Sequence, residues 1–312
     1  METVLFIIIL ISILIDLLIG ELPTNIHPVV WMGKIIDLFK PKLNKLRNKF
    51  SGVYLTLILL LIFLIPCFLL LYLLQNQVIL YVIIVSILLS TTFSIKLLIS
   101  SAADIIKSLN EDPEKAKKDL SYLVSRKTDK LSESEIISAT IESLTENITD
   151  SIITPLLFTY IFGLIGAVAV RIINTLDAMV GYKNKENLLI GWFPANLDDI
   201  INYIPARFCG ILIVLSAFLL RLDYKNSYKV MRRDARVPPS PNSGFSMAAT
   251  AGALNVQLVK PNTNILGDPN ENLTTDKIED AIRLTKITTL LFFITTYIFF
   301  KIIYSFIPIV FL

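Results

Sequence analysis

Long apolar runs alternate with polar blocks along this chain. A helix needs about 20 mostly apolar residues, at about 1.5 Å each, to cross a bilayer. Residues 4–19 form a first run, interrupted only by Ser12 and Asp16. Residues 53–74 carry no charge, residues 78–99 hold Lys96 near their end, and residues 288–312 hold only Lys301. Gln75-Asn76-Gln77 is then a short turn between two spans. Two further segments are ambiguous. Residues 152–173 are apolar but broken by Pro155, Gly163 and Gly166, and the apolar centre of 206–222 is short. Each either crosses or re-enters. The predicted fold class is all-α: a single-domain polytopic membrane bundle over residues 1–312, with cytoplasmic helical loops and re-entrant segments as the alternative at those two places.

Basic residues set the orientation. The loop 20–52 carries Lys34, Lys40, Lys42, Lys45, Arg47 and Lys49, and residues 225–236 carry Lys225, Lys229, Arg232, Arg233 and Arg236. Both are expected in the cytoplasm, with the N-terminus outside. The first run is expected to be a retained anchor, since Met1-Glu2-Thr3 offers no basic region and no small-residue cleavage site follows.

Three polar blocks separate the runs: 100–151, 174–207 and 225–258. In the first, Asp112-Pro113 and Ser132-Glu133-Ser134-Glu135 predict helix starts, the second as a capping box. Glu142, Glu146 and Asp150 follow at four-residue spacing, with Asn147 beside them. That stacks three carboxylates on one helix side, where a metal ion would relieve their repulsion; an ordinary solvated acidic face is the alternative. The second block holds Asn174, Asp177, Lys183, the adjacent pair Asp198-Asp199, and Arg207. One of the paired aspartates is expected to bond Arg207 or Lys183. The third holds Arg232, Arg233 and Arg236 before the turn-rich Val237-Pro238-Pro239-Ser240-Pro241-Asn242-Ser243-Gly244, then a small-residue helix from Ala248 to Leu254. Such a loop entering a helix offers backbone N–H groups to an anion. A juxtamembrane basic cluster without a ligand is equally compatible. Residues 260–271 read as a surface loop.

Composition narrows the classes. Of the 312 residues, 54% are hydrophobic and 18% charged, against about 45–50% and about 25% in soluble domains. A net charge of +3 gives no reason to expect nucleic acid. The one histidine, His27, excludes multi-histidine metal sites, and Cys67 and Cys209 lie in apolar runs. Neither a Gly-x-x-x-x-Gly-Lys-Ser/Thr loop nor a Gly-x-Ser-x-Gly elbow is present.

Six blocks recur in the order of a known family. They are Asp16 with His27-Pro28-Val29-Val30-Trp31-Met32-Gly33; Ser125-Arg126-Lys127-Thr128; Glu142 to Asp150; Asn174 to Lys183; Leu197-Asp198-Asp199 with Ile204-Pro205-Ala206-Arg207; and Arg233-Asp234-Ala235 with Ser240-Pro241-Asn242-Ser243-Gly244. The chain resembles the CbiB or CobD family of cobalamin biosynthesis, the adenosylcobinamide-phosphate synthases. The resemblance implies an integral membrane ligase. It would join aminopropanol phosphate, or a related amino alcohol, to adenosylcobyric acid as an amide, driven by ATP with Mg²⁺.

On that footing the expected catalytic residues are Glu142, Glu146, Asp150, Asp177 and Asp198. Glu142, Glu146, Asn147 and Asp150 are the expected Mg²⁺ ligands. His27, Arg126, Asn174, Lys183, Arg207, Arg233, Ser240, Asn242 and Gly244 are expected to bind substrate. Since ATP is cytoplasmic, these groups are expected to share one pocket at the inner face of the cell membrane, in a monomer or an oligomer. A transporter with broken helices and a membrane-bound transferase of lipid phosphates are the rival readings.

Overall fold

A computed structural model describes residues 2–182, 184–261 and 263–306. The helices are α1 (Glu2–Leu18), α2 (Pro28–Asn44), α3 (Phe50–Leu74), α4 (Val78–Ser90), α5 (Ile95–Glu111), α6 (Pro113–Ser121), α7 (Glu133–Ile148), α8 (Thr154–Val180), α9 (Trp192–Ile201), α10 (Tyr203–Leu219), α11 (Tyr224–Asp234), α12 (Gly244–Ala253) and α13 (Thr275–Phe306). A π-helical turn, Thr149–Ile153, joins α7 to α8. The only strands among the described residues form a small antiparallel hairpin, β1 (Leu258–Lys260) and β2 (Asn264–Leu266). It lies partly in the stretch expected to be loop, where Leu258 and Leu266 are buried as a cross-strand pair.

Four helical stretches are long and apolar enough to cross a membrane: Phe50–Leu74, Val78–Glu111, Glu133–Val180 and Thr275–Phe306. The pair Trp192–Ile201 and Tyr203–Leu219 qualifies only jointly, as a broken span or a re-entrant loop. The architecture is that of an all-α polytopic membrane protein. The expected first span is α1, at 17 residues an apolar helix of shorter length. The ambiguous run 152–173 lies within the helical stretch Glu133–Val180, beginning in the π-turn. It is broken again at Gly163, whose φ of +62° is a conformation that side chains with a Cβ rarely adopt. Residues 307–312, the end of the expected last span, lie outside the described residues.

The chain, read above as one domain, divides into two compact units. The first takes residues 1–95, 154–201 and 297–312. Its core joins Met32 and Ile36 of α2, Leu55 and Leu59 of α3, and Ile172, Leu176 and Val180 of α8. Rings of Phe6, Tyr160, Tyr297 and Phe300 pack together in the same unit, and the Tyr304 hydroxyl donates to the Tyr160 carbonyl. The run expected as one span over 78–99 lies in the candidate span Val78–Glu111, within which α4 gives way to α5 by a turn after Ser90. The hydroxyls of Ser90, Thr91 and Thr92 each donate back to a carbonyl three residues earlier, which ends α4. The freed start of α5 is capped from a distance: buried Asp16 accepts the Ile95 N–H at 3.1 Å. Asp16 interrupts the first run for that reason.

The second unit takes residues 96–153 and 202–296. Its core gathers Ile105, Leu120, Ile136, Ile141, Met247, Leu258, Leu266 and Ile278. Asp112 and Ser132 cap α6 and α7 as their sequence motifs predict, Ser132 with the full capping box to Glu135. The small-residue helix α12 lies against α11. Ser227 Oγ donates to the Ala249 carbonyl at 2.7 Å, and a Cβ on Gly252 would stand 2.6 Å from the Asn226 carbonyl oxygen.

Gly252→Ala forces α11 and α12 apart. It is expected to cost about 1–3 kcal/mol and to lower the unfolding temperature of the solubilised protein. Gly33→Ala, whose Cβ meets nothing nearer than the Met179 sulfur at 3.5 Å, is expected to be neutral or to gain up to about 1 kcal/mol from helix propensity. Equal unfolding temperatures for the two variants would contradict the close contact.

Candidate functional site

In the second unit the polar side of α7 is a line of half-buried residues, Ser143, Glu146, Asn147 and Asp150. The spacing of three, four and seven residues keeps them on one helical face. Asp150 falls in the π-turn, a distortion that recurs at functional sites. Asn147 is fixed by its amide donating to the Ser143 carbonyl at 2.9 Å.

Glu142 does not share that line. It is buried, and its Oε1 accepts the Ser138 hydroxyl at 2.9 Å and Arg126 Nη2 at 3.4 Å. Ser138 in turn accepts the Val259 N–H at 2.9 Å. Arg126 pairs with Glu142, while its Nε and Nη1 are buried without a hydrogen-bond partner among the described residues. Glu142 therefore anchors a cation, whereas the sequence spacing made it a metal ligand. Among the described residues, no group of three or more His, Cys, Asp or Glu side chains is gathered closely enough to hold a metal ion. Glu146, Asp150 and Asn147 remain as a donor set. Two carboxylates and an amide suit a Mg²⁺ shared with substrate phosphates, not a cage built of protein alone.

Arg207, near the start of α10, lies against two rings. Its guanidinium carbon is 3.4 Å from the Tyr203 ring centre and 4.4 Å from that of Phe245. Nη1 donates to the Tyr203 carbonyl at 2.6 Å and to Asn242 Oδ1 at 3.2 Å. Of the two cations expected to pair with Asp198 or Asp199, Arg207 has no ion pair among the described residues, and Lys183 lies outside them. The loop carrying Ser240, Asn242 and Gly244 folds on itself, with the Asn242 N–H donating to Ser240 Oγ at 3.3 Å. α12 then begins without a side-chain cap. Gly244 lets the loop approach the Ala235 carbonyl, which a Cβ would meet at 2.2 Å.

Arg233 has a task that the sequence did not indicate. Nε and Nη2 donate to the two oxygens of Asp234 at 2.7 and 2.8 Å, and Nη1 donates to both oxygens of Asp268 at 3.0 Å. Its donors are spent on protein carboxylates, so it ties the end of α11 to the segment after β2 and leaves little for substrate. Asp234 also accepts the Gly267 N–H at 2.9 Å. Burial works to raise the Asp234 carboxyl, but Arg233 and the Gly267 N–H outweigh it and hold it below the ordinary range.

In the first unit His27 caps α2. Its Nδ1 accepts the Val29 N–H at 3.2 Å, and its Nε2 meets Glu21 Oε2 at 2.5 Å. Both ring nitrogens are thus used inside the protein. Glu21, which the sequence reading passed over, is the centre of a polar cluster. Burial works to raise its carboxyl, but hydrogen bonds from His27 and Ser94 and the nearby Arg171 charge hold it below the usual carboxylate range. Arg171 also borders a cavity of about 570 Å³ that is lined mainly by apolar side chains, among them Trp31, Phe63, Pro66 and Leu88. Asn174 and Asp177 share with Arg171 the half-buried face of α8. Asp199 of α9 lies within electrostatic range of Asp177. Asp198 is half-buried on α9. Lys183 lies outside the described residues.

The model of a protein family described as CobD/CbiB protein matches residues 9–291. A probable cobalamin biosynthesis protein CobD of Methanothermobacter thermautotrophicus is 50% identical over 285 residues, covering 91% of this chain and 94% of that protein. The protein of the same description from Methanocaldococcus jannaschii is 40% identical, over 92% of this chain and 96% of its own length. The cobalamin biosynthesis protein CobD of Leptospira interrogans is 38% identical, over 91% and 94%. No solved structure matches.

The Asp234 carboxylate gives a pH test. A carboxyl held low in the fold stabilises it above the unfolded value, near about 3.9, and that stability is lost as pH falls through the folded value. Asp234→Asn is expected to cost about 1–3 kcal/mol at pH 7 and to flatten the loss of thermal stability below about pH 4. An acid limb of unchanged steepness in the variant would contradict the assignment.

Proposed function

This chain belongs to the CobD/CbiB family and acts in cobalamin biosynthesis, and from that premise we propose that it makes an amide bond on the corrinoid. The acceptor is a side-chain carboxylate of adenosylcobyric acid, and the amine is that of aminopropanol phosphate or a related amino alcohol. A carboxylate is unreactive toward an amine at neutral pH. In the proposed sequence the γ-phosphoryl group of ATP passes to a carboxylate oxygen, giving an acyl phosphate and ADP. The amine then attacks the carbonyl, the C–O bond to phosphate breaks, and inorganic phosphate leaves. The proton from nitrogen goes to a carboxylate, Asp177 or Asp198.

The single observation that carries this reading is the family match across residues 9–291. The geometry supports it in three ways. Arg126 is held by Glu142 with two buried N–H-bearing atoms unspent, which suits an anionic substrate. Glu146, Asn147 and Asp150 would hold the Mg²⁺ that arrives with a nucleotide and neutralises its phosphate charge. Asn242, Ser240 and the backbone entering α12 suit an oxyanion group. Asn174 and Asp177, on the half-buried face of α8, would contact substrate. His27 acts here by fixing the start of α2. We place the reaction at the cytoplasmic face of the cell membrane, because ATP is there and the basic loops are expected there.

Purified protein in nanodiscs, given adenosylcobyric acid, aminopropanol phosphate and ATP with Mg²⁺, is expected to release one ADP for each corrinoid amide detected by mass spectrometry. Asp177→Asn is expected to lower turnover by about 10²-fold or more if Asp177 is the base. Uptake of corrinoid into liposomes without amide formation would favour the transporter instead. Orientation has its own test. Cys67 and Cys209 are buried and Lys185 is exposed, so Lys185→Cys supplies an accessible thiol. A membrane-impermeant maleimide is expected to label it only in opened cells; labelling of intact cells would place residues 174–207 outside.

A further inference from the structure

Arg207 differs from the other well-placed arginines of its unit. Arg126 pairs with Glu142, and Arg233 is surrounded by Asp234 and Asp268. Arg207 forms no ion pair among the described residues, and both its hydrogen bonds leave from Nη1 toward uncharged oxygens. Nε and Nη2 make no hydrogen bond among the described residues. The guanidinium plane is nonetheless fixed: Tyr203 covers one side at 3.4 Å, Phe245 stands at 4.4 Å, and the Tyr203 carbonyl and Asn242 amide hold one end. Arginine stacked on rings keeps its full charge and loses little more freedom when its remaining edge meets an oxyanion. Packing alone would be served by an uncharged side chain, and a cation near a membrane segment is costly without a counter-charge.

We infer that Tyr203 and Phe245 are positioning residues that hold Arg207 as a pre-set two-donor fork for an oxyanion of a substrate, a phosphate or a carboxylate. Neither aromatic residue touches the reacting atoms; they act through the guanidinium. The inference rests on the proposed amide-forming reading only for the choice of ligands. A phosphate comes from the amino-alcohol phosphate or from the nucleotide, and a carboxylate from the corrinoid.

The test is equilibrium binding to the full chain in nanodiscs, with aminopropanol phosphate, ATP–Mg²⁺ and adenosylcobyric acid titrated separately. Arg207→Lys, Tyr203→Leu and Phe245→Leu are each expected to weaken one of these three by about fivefold to thirtyfold and to leave the other two in place. The ligand that weakens identifies the source of the oxyanion. Tyr203→Phe, which returns the ring, is expected to restore what Tyr203→Leu loses. In turnover assays the loss is expected in KM with kcat held. Unaltered binding of all three ligands in Arg207→Lys would overturn the inference. So would an equal fall for all three together with a lowered unfolding temperature, which marks a purely structural role, and so would the absence of binding of any of the three to the unsubstituted chain. Selective weakening without amide formation would instead keep the fork and reject the ligase reading.

Discussion

A polar group withdrawn from water in so apolar a chain must find its partner inside the protein, and this need shapes the helix ends at α2, α4 and α11. An unsatisfied donor or acceptor in such surroundings costs on the order of several kcal/mol. Where α4 stops, three hydroxyls close its last carbonyls and Asp16 reaches from α1 to cap α5. Where α11 ends, Arg233 is matched by two carboxylates and Asp234 by a backbone N–H. Where α2 begins, His27 spends both ring nitrogens. These charges are accounted for, which makes them structural.

The same accounting singles out the groups left over. Arg126 has one edge on Glu142 and another with no hydrogen-bond partner among the described residues. Arg207 lies against two rings and has no carboxylate partner among the described residues. Glu146, Asn147 and Asp150 line one face of a helix that changes pitch at a π-turn. All of these belong to one compact unit. Cations with spare donors and a short row of oxygen ligands are what a reaction between phosphates, carboxylates and an amine requires.

Much of this was legible in the sequence. The long apolar runs gave α3 and the body of α13, and Asp112-Pro113 and the Ser132–Glu135 box fixed two helix starts to the residue. The six blocks gave the family. What was hidden depends on distance along the chain or on local geometry. Asp268 lies 35 residues from Arg233, so nothing near Arg233 announced that its donors were taken. Glu142 shares the four-residue spacing of Glu146 and Asp150, yet it turns to Arg126 and Ser138. The threonines that end α4 look like tolerable members of an apolar run until their hydroxyls are seen to bond backward. Tyr203 and Phe245 carry no charge, and 42 residues separate them in the chain, so nothing local marks them as a pair.

The central claim is that substrate meets the Glu146–Asp150 face and Arg207. A structure determined with adenosylcobyric acid and a nonhydrolysable nucleotide bound tests it most directly. The account predicts ligand density touching Glu146 or Asp150 and the open edge of Arg207. Density confined to the apolar cavity beside Trp31 and Arg171, with those groups untouched, would contradict it.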